Sequence, residues 1–160
     1  MDNKLHQVAV TGIVVKDGKF LITKRSPEKK PFPGRWTVPG GRIETQDYTD
    51  RGKDTKSHWY NVLETVLKRE ILEETGLKIK NIRYLTSLSY IRDDGVPAIV
   101  ISLFADHAGG DVKLSPESVD HKWVTLKEAK KYDLIEGIYE ELELLDKFLK
   151  TGKLDEWKAK

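Results

Sequence analysis

The sequence predicts an α/β chain, a sheet built largely from hairpins with helices packed on it. Three observations carry that expectation. Short β-branched stretches bounded by turn residues recur along the chain. One helical stretch ends in Arg-Glu-Ile-Leu-Glu-Glu-Thr-Gly-Leu (69–77), and the C-terminal region carries a second apolar pattern at helical spacing.

In chain order, Leu5 to Val15 is rich in β-branched residues and reads as a strand. Lys16-Asp17-Gly18-Lys19 follows as a turn and Phe20 to Lys24 as the partner strand, which makes a hairpin. Residues 26–35 hold Pro27, Pro31, Pro33 and Gly34 with Lys29 and Lys30, an irregular basic loop leading to a short strand at Trp36 to Val38. Thr45 to Lys56 is polar and reads as part of an exposed loop insertion over 45–58.

From Ser57 to Thr75, Trp59, Val62, Val66 and Ile71 recur at helical spacing and predict one buried stripe. Ile79 to Ile91 and Val96 to Ala105 read as strands around the turn Arg92-Asp93-Asp94-Gly95, and Val119 to Val124 as a further strand. Ile138, Leu142, Leu145 and Leu149 predict an amphipathic helix over 135–149, followed by a solvated tail over 150–160 on which Trp157 is a candidate to dock.

At 160 residues the chain suits one domain, 1–160. The 28 basic and 26 acidic residues nearly cancel, so no global field recruits a nucleic acid duplex or a membrane. The absence of cysteine excludes disulfides, thiol nucleophiles and thiolate zinc sites, and fits a reducing, cytoplasmic setting. No apolar run reaches the length of a membrane span.

On a helix, Glu70, Glu73 and Glu74 stack along one side, and Gly76 supplies the left-handed residue that ends it. Three like charges so close repel and call for a cation. Hard divalent ions take oxygen ligands, so the cluster is a candidate Mg2+ site beside a phosphate substrate. A solvated acidic helix, with Arg69 and Glu73 as an i,i+4 ion pair, is the competing explanation. Upstream, Val38-Pro39-Gly40-Gly41-Arg42-Ile43-Glu44 forms a Gly-Gly turn at which the backbone can bend sharply.

Together these segments resemble the Nudix (MutT-like) hydrolase signature: Gly, five residues, Glu, seven residues, Arg-Glu-apolar-x-Glu-Glu-x-Gly-apolar. Arg69, Glu70, Ile71, Glu73, Glu74, Gly76 and Leu77 match its right half, and Gly41 its opening glycine. The departure is an insertion of 14 residues between Gly41 and Arg69, and counting back from Arg69 puts Asn61 where the first glutamate belongs. Glu44 and Glu64 are candidates to substitute for it.

The resemblance implies an α/β/α sandwich with a mixed β-sheet, and hydrolysis of a phosphoanhydride in a nucleoside triphosphate or a nucleoside diphosphate linked to another group. It implies Mg2+ or Mn2+ as cofactor, and family habit suggests a homodimer. Carried over, Glu70, Glu73, Glu74 and the Gly40 carbonyl are metal contacts, with Glu73 also a candidate base. Arg69 orients Glu73.

Arg25, Arg35, Trp36 and Gly41 are candidate substrate contacts, as are the later acids Glu117 and Asp120. Lys24, Phe32 and Tyr90 are weaker candidates, and His58 reads as a surface residue. The alternative is a weakly active or inactive domain that binds a nucleotide or a protein. The family's isopentenyl-diphosphate isomerases use a cysteine absent here, and neither a Gly-x-Gly-x-x-Gly nor a Gly-Lys-Ser/Thr loop occurs.

Overall fold

A computed structural model describes residues 3–160. The strands are β1 (Gln7–Lys16), β2 (Lys19–Arg25), β3 (Trp36–Thr37), β4 (Gly40–Arg42), β5 (Lys78–Ile91), β6 (Pro97–Gly109) and β7 (Ser118–Val124). The helices are α1 (Gln46–Thr49), α2 (Val62–Thr75), α3 (Leu126–Ala129) and α4 (Ile138–Thr151).

The sheet is mixed, as expected. β1 runs antiparallel to β2, with Lys16 opposite Lys19, and Asp17 and Gly18 between them both take positive φ, 51° and 73°. That geometry matches the right-handed twist of the flanking strands. The other edge of β1 pairs in parallel with β6, from Gln7 opposite Ala98 to Val15 opposite Asp106. β5 closes that side as the antiparallel partner of β6, while β7 and β3 pair with β2. The short β4 shares the β2 edge of β1, setting Gly41 opposite Val10 and Gly40 opposite Thr11.

Each face of the sheet carries one helix and one core. α2 buries Val66, Leu67 and Ile71 against Val10, Val14, Leu21 and Leu103. It approaches β1 at Gly12, where an added methyl would lie 2.9 Å from both Leu67 Cδ1 and Ile71 Cδ1. On the opposite face α4 buries Ile138, Leu142 and Leu145 over Ile13, Phe104 and Leu85. Leu144 joins that core, whereas Leu149, predicted on the buried stripe, is exposed. Trp157 docks only partly, its Nε1 donating to Gly137 O at 3.3 Å.

Two expectations in the inserted region need correction. The helix begins at Val62, preceded by Asn61 at φ 55°, so Trp59 lies outside it. Residues 45–58 are not uniform loop either, since they contain α1. Local side-chain hydrogen bonds compete with helix here. Asp54 Oδ2 accepts both the Tyr60 amide and Arg51 Nη1 at 2.8 Å, and Thr55 Oγ1 accepts the His58 amide at 3.0 Å. Trp59 packs on Tyr48, 5.3 Å between ring centroids, and donates to Arg51 O at 3.1 Å.

Candidate active site

Four segments meet at the C-terminal half of α2, and backbone hydrogen bonds explain why. α2 ends as predicted at Gly76, with φ 74° and its amide on Leu72 O at 2.9 Å. The chain preceding β7 is tied to that end, because Lys113 N donates to Thr75 O (2.8 Å) and Ser115 N to Glu74 O (2.9 Å). Ser26 N donates to Glu117 O (2.9 Å), which joins the same loop to the basic segment after β2. Glu117 is thereby brought beside Glu74, with Lys29 Nζ on its Oε2 at 2.7 Å.

The diglycine forms the fourth wall. A methyl group on Gly41 would lie 2.3 Å from Glu70 Cδ, so the carboxyl occupies the space a side chain would need. The Gly40 backbone amide favours the charged form of Glu74. A methyl group on Gly40 would lie 2.2 Å from Val10 O, so at both positions only a residue without Cβ fits.

The electrostatics report strain from like charge. Burial, then Glu117 and Glu70, push the Glu74 carboxyl up to about 8 against the opposing Lys29 and the Gly40 amide. Burial also raises Glu70, with Glu73, Glu117 and Asp47 adding to it and Arg69 opposing. Arg25 lies within the same field: burial lowers its pKa while Glu117 and Glu74 resist. Its Nε is held by Pro31 O at 2.9 Å. Three carboxylates, Glu70, Glu74 and Glu117, two cations and a diglycine edge thus share one site, and a further cation would relieve it.

Arg69 organises the rim. It reaches Glu73 Oε2 at 3.2 Å, as expected, and also Glu70 Oε1 at 3.2 Å and Asp47 Oδ1 at 2.7 Å. Burial pulls its pKa down, but Glu70, Asp47 and Glu73 together outweigh that and raise it. Asp47 is the residue that sequence reading missed. Its other oxygen accepts the Glu44 amide at 2.7 Å and its side chain is 12% exposed, so it is held at both ends.

A signal was present: counted forward from Gly41 with five residues between, the signature's glutamate position falls on Asp47. Counting backward from Arg69 reached Asn61, which is the left-handed entry to α2. The additional residues therefore lie between Asp47 and α2. Glu44 contributes an amide rather than a carboxylate, and Glu64 stays in the first turn of α2.

Several other candidates fall elsewhere. Trp36 is buried in the α4 core, edge-on to Tyr132 with centroids 4.8 Å apart, so it has no face for a base. Arg35 is committed to the segment before α4, with Nη2 on Leu134 O at 2.6 Å and Nε on Asp133 Oδ2 at 2.9 Å. Asp120 sits opposite Lys24 in the sheet and accepts the His121 amide at 2.7 Å; of the two late acids, Glu117 is the one coupled to Glu70 and Glu74. Phe32 and Tyr90 are exposed, and His58 packs with Thr55 and Tyr60 inside the insertion.

Among the described residues no three acidic or histidine side chains form a ready metal cage. The donor set nonetheless suits Mg2+, which keeps several waters and binds through one or two carboxylates plus substrate phosphates. Glu70 and Glu74, both hard oxygen donors whose pKa values burial and nearby carboxylates raise, meet that requirement. No helix among the described residues is long and apolar enough to cross a membrane.

An ADP-ribose pyrophosphatase of Methanocaldococcus jannaschii is 34% identical over 129 residues, which are 79% of this chain and 62% of that protein. The chain thus spans under two thirds of that relative's length. The nucleoside triphosphatase NudI of Klebsiella pneumoniae is 27% identical over 136 residues, 78% of this chain and 86% of its own.

Among solved structures, a MutT NUDIX hydrolase from Burkholderia pseudomallei superposes with a TM-score of 0.68 at 22% identity, covering 87% of this chain and 97% of that one. The NUDIX domain of Shewanella oneidensis NrtR, solved with ADP ribose, gives 0.69 at 21% identity, covering 93% and 94%. These two likenesses establish the fold. The NUDIX domain family itself matches residues 5–145, and with the acidic helix, the diglycine and the mixed sheet in place, this chain belongs to that family.

Proposed function

We propose that this chain hydrolyses a phosphoanhydride bond in a nucleotide-like substrate with the help of Mg2+ or Mn2+. The observation that carries the proposal is the approach of Glu70, Glu74 and Glu117 to one another against the Gly40–Gly41 edge, with burial and then the neighbouring carboxylates raising the pKa values of Glu70 and Glu74. A cation bound there would neutralise the diphosphate and lower the pKa of a bound water.

The residues divide the work. Glu70 and Glu74 hold the ion, and the diglycine leaves room for phosphate to lie close to the backbone. Arg25 and Lys29 offset substrate charge from the opposite loop. Asp47 and Arg69 fix the rotamers of Glu70 and Glu73. Glu117 and Glu73 are the two carboxylates positioned to take the proton of the attacking water; both are more open to solvent than Glu74.

ADP-ribose and nucleoside triphosphates head the substrate panel because the relatives are named for them. Turnover of these, of dinucleoside polyphosphates and of nucleotide sugars would be followed with Mg2+ for wild type, Glu70→Gln, Glu73→Gln and Glu117→Gln. Cleavage by wild type, lost in Glu70→Gln, supports the proposal. Equal rates in wild type and Glu70→Gln overturn the site. The acid limb of the pH profile vanishes in whichever of Glu73→Gln and Glu117→Gln removes the base.

A second reading, a domain that binds nucleotide without cleaving it, draws on the engagement of Glu73 by Arg69 and on the absence of a ready three-carboxylate cage among the described residues. Tight nucleotide binding without turnover of any substrate in the panel selects it.

A further inference from the structure

Asp47 fills the signature's glutamate position with a side chain one methylene shorter, yet its Oδ1 meets Arg69 Nη2 at 2.7 Å. The backbone of α1 must therefore stand close to α2. On its own α1 has little to hold it there. It has four residues, too few to be stable alone; its N-cap Thr45 makes no side-chain cap, and none of its residues is fully buried. Its packing comes from outside, where Tyr48, next to Asp47, lies against Trp59 with 5.3 Å between ring centroids.

Trp59 belongs to a segment that is folded rather than slack. Arg51 ties its two ends together, with Nη1 on Asp54 Oδ2 at 2.8 Å and Nη2 on Tyr60 O at 2.5 Å. The Tyr60 amide donates to the same Asp54 oxygen at 2.8 Å, and the Asp54 amide to His58 O at 2.9 Å. Trp59 Nε1 donates to Arg51 O at 3.1 Å, and Lys53 Nζ lies 5.2 Å from the centre of a Trp59 ring. The far end is fixed to α2, because Asn61 O accepts the Thr65 amide at 3.0 Å. A slack linker would close the same gap at little entropic cost, since that cost grows only logarithmically with length. Ordering these side chains is an added cost, and it calls for a return.

Residues 50–60 thus lean on α1 through Trp59 and on the first turn of α2 through Asn61, while Asp47 crosses to Arg69 about two turns further along α2. Resting on the hydrolase reading above, we infer that this inserted segment is a brace for the active site and that Trp59 is a positioning residue: it holds α1 near enough to α2 for the short side chain of Asp47 to reach Arg69. Arg69 in turn meets Glu70 and Glu73, so a loosened α1 is felt at both carboxylates.

The test crosses side-chain length at position 47 with the presence of the brace. With Trp59 in place Asp47 has the fitting length, so Asp47→Glu should lower kcat by a few-fold. Trp59→Ala should lower it about tenfold, and in that background the order inverts. The longer carboxylate reaches Arg69 from a withdrawn α1, so adding Asp47→Glu to Trp59→Ala should raise kcat about threefold or more. Trp59→Phe, which keeps a ring on Tyr48, should recover most of what Trp59→Ala loses. A residue that only stabilised the fold would lower kcat by the same factor whether position 47 holds the shorter or the longer acid.

Urea unfolding in a chelator-containing buffer gives a measure free of metal and cleavage. Asp47→Asn should lower the folding constant about fivefold or more when Trp59 is present, and scarcely at all in Trp59→Ala, where the ion pair is already open.

A Trp59→Ala protein that gains nothing from Asp47→Glu, or an Asp47→Asn penalty in urea that is equal in both backgrounds, overturns the inference. Circular dichroism checks that Trp59→Ala is folded; if it is not, Tyr48→Ala, which opens the same contact from the α1 side, takes its place. If wild type cleaves no substrate in the panel, the catalytic reading falls and the urea measurement alone decides whether the brace stands. Cleavage with an equal urea penalty in both backgrounds gives the reverse.

Discussion

Glu74 and Glu141 are both buried carboxyls raised by burial, yet they sit on opposite faces of one sheet in opposite company. Glu74 has Glu70 and Glu117 against it and Lys29 beside it. Glu141 has Ser102, a threonine behind that serine, and Glu140. The α2 face is therefore a place where charge is concentrated and a cation is wanted. The α4 face is one where a single hydrogen bond is wanted. Burial alone does not set what a buried carboxyl lacks; its neighbours do.

The sharpest way to break this contrast is to remove charge on the α2 side. Glu70→Gln or Glu74→Gln should lower kcat about 10²-fold or more while leaving the fold intact, as read by steady-state kinetics and circular dichroism. A residual rate within a few-fold of wild type would mean that these carboxyls do not meet the reacting phosphate.

Stability against pH comes next. The folded pKa of Glu74, about 8, stands above its ordinary value of 4.5. Between those values the folded protein holds a proton that the unfolded chain has released, so stability is greatest at the acid end and declines as pH rises through about 8. The decline should be on the order of a few kcal/mol without metal. Millimolar Mg2+ should recover much of it at pH 8 and little at pH 5. Melting curves with and without Mg2+ that stay parallel across this range would show that the cation does not bind at Glu74.

Asp47→Asn should cost about tenfold in activity or metal affinity, since it acts through Arg69 rather than on substrate. Asp47→Glu should recover part of that loss. The split is read from kcat against the Mg2+ concentration for half activity. The smallest effect is expected on the α4 face: Glu141→Leu exchanges an incompletely bonded carboxyl for an apolar side chain, so its Tm should hold or rise by a few degrees. A large fall would show that the Ser102 hydrogen bond carries more stability than the unpaired oxygen costs.

What was legible in the sequence divides along the same lines. The Asp17-Gly18 hairpin, the Gly76 helix end and the acidic spacing of α2 are local patterns, and the structure has each of them. The structural place of Arg35 and Trp36 depends on Asp133, Leu134 and Tyr132, almost a hundred residues away, and no local pattern encodes that. The left-handed Asn61 was hidden because apolar residues continue at helical spacing before it, while Asp54 and Thr55 draw the backbone into their own hydrogen bonds. Asp47 was readable but needed the count to run from the glycine. Glu141 could not be found from sequence, since on an amphipathic helix it looks like any acid of the first turn.

The clasp between Asp47 and α2 has a practical side. Gly52, at its outer bend, has no atom within 4 Å of where a side chain would grow, and the chain contains no cysteine. A thiol introduced there would be unique, and its Cβ would meet no neighbour within 4 Å on the segment that holds Arg69. Emission changes of a fluorophore attached to it, on adding nucleotide or cation, would then report occupancy in real time, without altering any group that meets the ligand.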